Sequence, residues 1–270
     1  MSIFDKFLRI RELGIFSIII IVVIAASIID SRFLTIDSWR AVFLAIPLIL
    51  VMAMGQMMVI ICRHVDISIG SILAFAAITI GFVFIHYPNT SLFMALLITA
   101  SVGTIMGLVN GIIVTRFNVH SIIVTLGTLS LYRGLVFIVS GGRQIDRNDI
   151  PVHIISFSQT SFLFSIPAIL ILSVIIVLIT HLIMRHSVLG REIYATGCNP
   201  EAAHLKGINV TKVTLFCFGV CGMLAGVAGL FYASRFGYVN PGVTGVGIEF
   251  IVIAGVIIGG TSITGGSGLL

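Results

Sequence analysis

The chain has 270 residues, of which 58% are hydrophobic and only 9% charged, with a mean hydropathy of +1.21 and a formal net charge of +5. Soluble domains carry about 25% charged residues, so this composition excludes a soluble globular protein and indicates a polytopic membrane protein. The net charge is too small and too dispersed to indicate a nucleic acid partner, and we expect the basic loop residues to face anionic lipid.

The apolar runs predict an all-α fold, a polytopic helical bundle forming a single transmembrane domain over residues 1–270. Backbone groups in lipid must be satisfied within helices or closed barrels, and these runs lack the polar alternation of barrel strands. The first run follows a charged stretch, Met1–Leu13, without a small-x-small cleavage site, so we expect an uncleaved helix. At about 20 residues per span, we predict about eight spans: Gly14–Ile29, Ala41–Ile61, Ile69–Ile85, Leu92–Thr115, Val119–Val139, Phe162–Met184, Val213–Ser234 and Ile248–Ile258.

Lysine and arginine predict the orientation of these spans. With the N-terminus in the cytoplasm, nine basic residues fall in inner segments and five in outer segments, which follows the positive-inside rule. The inner set is Lys6, Arg9, Arg11, Arg63, Arg116, Arg185, Arg191, Lys206 and Lys212, and the outer set is Arg32, Arg40, Arg143, Arg147 and Arg235.

A polar segment, Arg63–Ser71, interrupts two apolar runs and contains an acid, Asp66. An acid this close to the membrane is usually paired or functional. One interpretation is an inner turn in which Asp66 caps the third span and pairs loosely with Arg63, and the other is a contact with a transported solute.

Hydroxyl and amide side chains along the spans suit a neutral, hydroxyl-rich solute, although each is equally compatible with an interhelical hydrogen bond. Few ionisable groups enter the spans, which argues against proton coupling. The predicted substrate path consists of Gln56, Asp66, Ser68, Asn110, Thr125, Thr128 and Tyr132.

Glycines at four-residue spacing, at positions 103, 107 and 111 and again at 222 and 226, predict close helix packing. The four cysteines show no metal-ligand spacing, and we assign neither a metal site nor a catalytic residue. The glycine-rich stretch from Gly259 to Gly268 lacks the lysine of a P-loop, so we expect no cofactor on this chain and ATP only on another one.

The segment 185–212 is a polar island between two apolar runs and contains a complete small helix. Asn199 can cap the free N–H groups, Pro200 suits the first helical position, and Glu201 lies at the positive end of the helix dipole. Lys206 lies at the negative end, and Gly207 can adopt the left-handed stop. This helix is either a docking element for a partner or an ordinary interfacial helix.

Four segments of the chain resemble the permease subunits of ribose-type sugar ABC importers, in order and over nearly the whole length. They are residues 65–71, 126–134, 190–203 and 255–266. Residues 128–142 and 194–197 are most similar to permeases for autoinducer-2 uptake, with rhamnose and ribose permeases as neighbours.

The resemblance implies a multi-pass protein of the bacterial inner membrane that carries out no chemistry itself. It implies a second permease subunit, a cytoplasmic ABC ATPase that binds ATP–Mg, and an extracytoplasmic solute-binding protein as partners. The family's coupling loop maps onto Gly190, Arg191, Asn199, Pro200, Glu201, Ala202, Ala203 and Gly207. In such an importer the charged outer loop, 140–161, is expected to dock the binding protein through Arg143, Asp146, Arg147 and Asp149.

Family members continue beyond the glycine-rich motif, so the resemblance also implies that this chain is a fragment or a C-terminally truncated product. The residues alone are also compatible with two other classes of membrane protein. One is an ATP-independent secondary carrier or facilitator, and the other is a non-transporting membrane scaffold.

Overall fold

The computed structural model describes residues 11–159, 161–162 and 166–268. The chain divides into two compact units, Met1–Ala45 and Ile46–Leu270. Most of the charged stretch before the first span lies outside the described residues, including the predicted inner cations Lys6 and Arg9.

The first unit contains helix α1 (Arg11–Ile29) and a 3-10 turn (Ser31–Leu34). Asp30 caps this turn, because its carboxylate accepts a hydrogen bond from the Arg32 backbone N–H at 2.9 Å. Helix α2 (Ile36–Ile61) begins in this unit and continues into the second.

The second unit is built almost entirely from helices joined by short connections. Its remaining elements are α3 (Ile69–His86), α4 (Leu92–Phe117), α5 (Ser121–Ser140), a 3-10 turn (Arg147–Asp149), α6 (Val152–Gln159), β1 (Ser161–Phe162), β2 (Ile166–Pro167), α7 (Ala168–His186), α8 (Val188–Cys198), α9 (Pro200–Leu205), α10 (Val210–Phe236) and α11 (Ile248–Ile258). The two strands pair antiparallel over two residues each. The predicted helical bundle is confirmed.

Six of the described helices are long and apolar enough to cross a membrane: α2, α3, α4, α5, α7 and α10. The sequence predicted about eight. Two predicted spans correspond to shorter apolar helices, Phe16–Ile29 and Ile248–Ile258. The second has 11 residues and is about 16 Å long, well short of a hydrocarbon core of about 30 Å.

Helix α10 is the centre of the bundle. Its most apolar window is 78% buried, whereas the corresponding windows of α4, α5 and α7 are 28% buried and leave apolar faces for lipid or a partner. Glycines bring α4 and α10 into backbone contact, since a Cβ at Gly103 or Gly222 would overlap the carbonyl oxygen of the other residue. The glycine stripes therefore pack helices, as predicted.

The predicted outer loop 140–161 is more ordered than a solvated loop. It contains the 3-10 turn and α6, and Ile145 pairs with Val239 as an isolated β-bridge. Ser158 on α6 donates a hydrogen bond to the Ser234 carbonyl of α10 at 2.9 Å. The buried isoleucines of this segment pack into one cluster with α3, α5 and α10, which is why it does not extend into solvent.

Candidate functional site

The buried carboxylate of Asp66 lies at the centre of a polar network between helices. Ser68 donates to Asp66 Oδ1 through its backbone N–H at 2.9 Å and its hydroxyl at 2.7 Å. The Asn110 amide on α4 donates to Asp66 Oδ2 at 3.3 Å and to Ser68 Oγ at 2.8 Å. This network pins the connection between α2 and α3 against α4.

Two further predicted path residues complete the network. The Gln56 amide, oriented so that both ends are satisfied, donates to the Asp66 carbonyl at 3.1 Å and accepts from its N–H at 3.2 Å. The Tyr132 hydroxyl on α5 lies 2.9 Å from the Met106 carbonyl and 3.2 Å from Asn110 Oδ1. Five predicted residues from four parts of the chain therefore share one buried cluster.

The two remaining path residues, Thr125 and Thr128, lie on α5 beside the same connection. Thr125 Oγ1 lies 2.9 Å from the Ser121 carbonyl and 3.3 Å from the Val65 carbonyl, and the Val65 N–H donates to Ser121 Oγ at 3.1 Å. Thr128 donates to the Thr125 carbonyl at 3.4 Å. Each of the seven predicted path residues bonds within the protein, so contact with a solute stays a prediction.

Asp66 and Arg63 do not form the predicted pair. Arg63 Nη2 instead donates to the Cys198 carbonyl at 2.7 Å. The Asp66 carboxylate accepts from Ser68 and Asn110, whereas Gln56 bonds to the Asp66 backbone. Burial raises the pKa of the Asp66 carboxyl, and the hydrogen bonds from Ser68 and Asn110 act in the opposite direction. The acid is thus held by neutral donors, and the described part of the chain contains no ion pair to it.

The polar island forms the small helix that the sequence predicts. Asn199 Oδ1 accepts from the Ala202 N–H at 3.1 Å, and Pro200 occupies the first position of α9. Gly207 adopts a φ of 85°. Its N–H donates to the His204 carbonyl at 2.9 Å, and the Ile208 N–H donates to the Ala203 carbonyl at 3.1 Å, which together form a Schellman stop.

The predicted coupling residues divide into exposed and buried groups. Arg191, Asn199, Glu201, Ala202 and Gly207 are exposed, Pro200 is half-buried, and Ala203 and Gly190 are buried. Gly190 packs in the corner between α7 and α8, where a Cβ would overlap the Met184 carbonyl. The exposed members are free to contact a partner, and the buried ones fix the position of α8 and α9.

One exposed residue at this end is not among the predicted coupling residues. Leu205, the last residue of α9, is 87% exposed. An exposed apolar side chain at a helix end can lie in a groove of a partner helix-binding surface. In the sequence, its exposure is indicated by its position between the polar residues His204 and Lys206, two residues before the glycine that ends the helix.

A cavity of about 440 Å³ lies between this polar island and the segment that carries Asp66. It is lined by one cation, two imidazoles and several hydroxyls, among them Arg63, His64, His120 and Thr196. Burial and the neighbouring His120 lower the pKa of His64 to about 4, so this imidazole is neutral at pH 7. Thr196 Oγ1 is buried and has no hydrogen-bond partner among the described residues.

The predicted docking residues lie at the opposite end of the second unit. Arg143 Nη2 is 3.5 Å from Asp149 Oδ2, and Gln144 donates to Asp146 Oδ1 at 2.8 Å. Arg143, Asp146 and Arg147 are exposed, and Asp149 is half-buried. The segment is a charged, ordered surface, and its role in docking stays a prediction.

Comparison with known proteins places these features in a family. Residues 39–267 match the family described as the permease component of branched-chain amino acid transport systems. The autoinducer 2 import system permease protein LsrC of Yersinia pseudotuberculosis serotype O:3 is 34% identical over 243 residues, which cover 90% of this chain and 68% of that protein. The LsrC proteins of Yersinia enterocolitica and Yersinia pestis are also 34% identical over 90% of this chain, with 66% and 68% of their own lengths covered. No solved structure matches the chain.

Proposed function

The chain belongs to the family of permease components of branched-chain amino acid transport systems, and we propose that it is the membrane-spanning subunit of an ATP-driven importer for autoinducer-2. The single observation that carries the solute assignment is the 34% identity, over 90% of this chain, to proteins named as autoinducer 2 import permeases. Rhamnose, ribose or a related sugar is the second possibility, since the resemblance extends to those permeases.

ATP–Mg would be bound by a partner ATPase, because this chain carries no P-loop lysine. Helix α9 is exposed and capped at both ends. These two features support a role for α9 as the element that the ATPase binds. A second permease subunit and an extracytoplasmic binding protein would complete the assembly. The protein would lie in the bacterial inner membrane with its N-terminus in the cytoplasm.

Transport in this proposal is a conformational change driven by the partner. A ligand or partner shifts an equilibrium only through its differential affinity for the two states. The ATPase would bind α9 differently in its nucleotide-bound and nucleotide-free forms, and so bias the bundle between outward-open and inward-open states. This chain's residues would bind and guide the solute without altering its bonds.

The polar network around Asp66 supports a neutral, hydroxyl-rich solute. Its donors and acceptors are amides, hydroxyls and a single acid without an adjacent cation. A charged solute would need a compensating charge, because desolvating an unpaired ion costs several kcal/mol or more. In the transport cycle, these groups would exchange their partners for the hydroxyls of the solute.

The test is reconstitution in proteoliposomes. Uptake of autoinducer-2 should require this chain, its second permease subunit, the ATPase, the binding protein and ATP together, and this chain alone should give none. Robust uptake under an ion gradient without the ATPase would establish the rival class, a secondary carrier. If the partner binding protein binds ribose or rhamnose and ignores autoinducer-2, the solute assignment is wrong and the importer assignment stands.

A further inference from the structure

We propose that Arg63 is the positioning residue that links the coupling helix α9 to the buried Asp66 network. This proposal rests on the proposed function, because it assigns a route by which a partner bound at α9 affects the transport path. Neither the family match nor the relatives' names assign this residue a role.

The first observation is the contact of the Arg63 guanidinium. Its Nη2 donates to the Cys198 carbonyl at 2.7 Å. Cys198 is the last residue of α8, and the next residue, Asn199, caps α9. A guanidinium at the negative end of a helix is favoured by the helix dipole and forms a charge-assisted hydrogen bond. Arg63 therefore holds the backbone at the point where α8 becomes α9.

The second observation is the backbone of Arg63. Its φ of 67° is left-handed, which is uncommon for a residue other than glycine, asparagine or aspartate. The Arg63 N–H donates to the Ile60 carbonyl at 2.9 Å, and the Gly266 N–H donates to the Ile61 carbonyl at 2.9 Å. Cys198 Sγ lies 3.4 Å from the Gly266 carbonyl. The end of α2, the end of α8 and the glycine-rich segment thus meet at one junction.

The third observation is the short distance along the chain from Arg63 to the network. Val65 is fixed by Ser121 Oγ on α5, and Asp66 by Gln56 and Asn110. Between Arg63 and Asp66 lie only two residues, so a displacement of the Cys198 carbonyl reaches the carboxylate through a segment held at both ends. Coupling through such a segment requires an element with two arrangements that both sites bias, a role that the segment 62–68 would fill between its contacts at Arg63 and at Asp66.

The experiment compares three substitutions in the complete importer. Arg63→Asn removes the guanidinium but keeps a residue that tolerates the left-handed backbone. Arg63→Lys keeps the charge and much of the reach. Arg116→Gln removes an exposed cation at the same end of the bundle and serves as the control. The measured quantities are solute uptake and ATP hydrolysis in the same proteoliposomes, expressed as solute moved per ATP.

Arg63→Asn should lower the solute moved per ATP by about fivefold or more, the lower end of coupling between sites, with ATPase binding retained. Arg63→Lys should recover much of it, and Arg116→Gln should match the wild type. A wild-type ratio in Arg63→Asn overturns the proposal and leaves the importer assignment intact. Absence of ATP-driven uptake in the wild-type complex would instead overturn the proposed function.

Hydrogen–deuterium exchange provides a readout that does not depend on transport. In the detergent-solubilised full chain, Arg63→Asn should speed exchange at the Val65 and Ser68 amides, which donate to Ser121 and Asp66. Arg116→Gln should leave both amides unchanged. Equal protection in Arg63→Asn and the wild type would show that the guanidinium does not hold this segment, and would also overturn the proposal.

Discussion

At the scale of single residues, the buried polar groups are distinguished by whether they have partners. Asp66, Asn110 and Tyr132 each satisfy their polar atoms within the network. Thr196, fully buried on α8 beside the cavity, has a hydroxyl with no partner among the described residues. A buried, unsatisfied polar group costs about 1–3 kcal/mol, so we expect the Thr196 hydroxyl to lower the stability of the chain, whereas the hydrogen-bonded groups of the network do not carry this cost.

We expect Thr196→Val to raise the free energy of unfolding by up to about 1–3 kcal/mol, since it replaces an unsatisfied hydroxyl with a methyl group of similar size. The measurement is thermal unfolding of the detergent-solubilised chain. Thr125→Val is the matched control, because it removes a hydroxyl that contacts the Ser121 and Val65 carbonyls, and it should be neutral or destabilising. A fall in stability for Thr196→Val as large as that for Thr125→Val would contradict the assignment.

At the scale of elements, α9 is defined by its two caps and its exposure. The Asn199 cap and the Gly207 stop satisfy the ends of a helix of only six residues. Ala203 is its buried residue, and Leu205 is its most exposed apolar one. Both ends of this short helix are therefore fixed by hydrogen bonds within the chain.

Glu201→Lys tests this element. It places a cation at the positive end of the helix dipole and against the partner surface, and the dipole penalty of about 0.3–1 kcal/mol is too small to unfold the chain. We expect stimulated ATP hydrolysis to be lost while the permease remains in the membrane, measured by hydrolysis in proteoliposomes and by membrane fractionation.

Glu201→Gln is the control, since it removes the charge without reversing it, and its coupling should be intermediate. If the complex that contains Glu201→Lys hydrolyses ATP at the wild-type stimulated rate, α9 is not the coupling helix. If that variant is missing from the membrane, the charge acts on folding, and the assignment fails as well.

At the scale of the whole molecule, the two ends of the second unit carry different chemistry. One end gathers Arg63, the polar island and the glycine-rich segment, and the other gathers the 3-10 turn, α6 and the Ile145–Val239 bridge. Within this unit, the predicted inner segment 185–212 lies at the first of these ends and the predicted outer loop 140–161 at the second. The proposed orientation is consistent with this separation.

We expect reversal of Arg143 and Arg147 to glutamate to weaken docking of the binding protein, most strongly at low salt, because exposed charges steer association and are screened by ions. In the Arg143–Asp149 ion pair the arginine is exposed and the aspartate half-buried, and pairs at the surface contribute about 0–1 kcal/mol, so the fold should persist. The measurement is binding affinity at two ionic strengths. Arg185→Glu at the other end should leave it unchanged, and unchanged affinity in the double variant at low salt would dismiss this docking surface.

The sequence by itself determined the class, most of the span positions and the small capped helix α9. These follow from local chemistry: apolar runs long enough to cross lipid specify helices, and Asn199, Pro200 and Gly207 specify where α9 begins and ends. The glycine spacing likewise specified close packing, because small residues at four-residue intervals lie on one helix face.

Only the tertiary structure decided which polar groups meet. Asp66, Asn110 and Tyr132 are far apart in sequence, and no local rule sets their separation in space. One of the two interpretations of the sequence paired Arg63 with Asp66 because they are neighbours along the chain. In the structure the backbone at Arg63 is left-handed, and its guanidinium donates a hydrogen bond to the end of α8. The order of the outer segment was also missed, since its isoleucines find their cluster only when α3, α5 and α10 assemble.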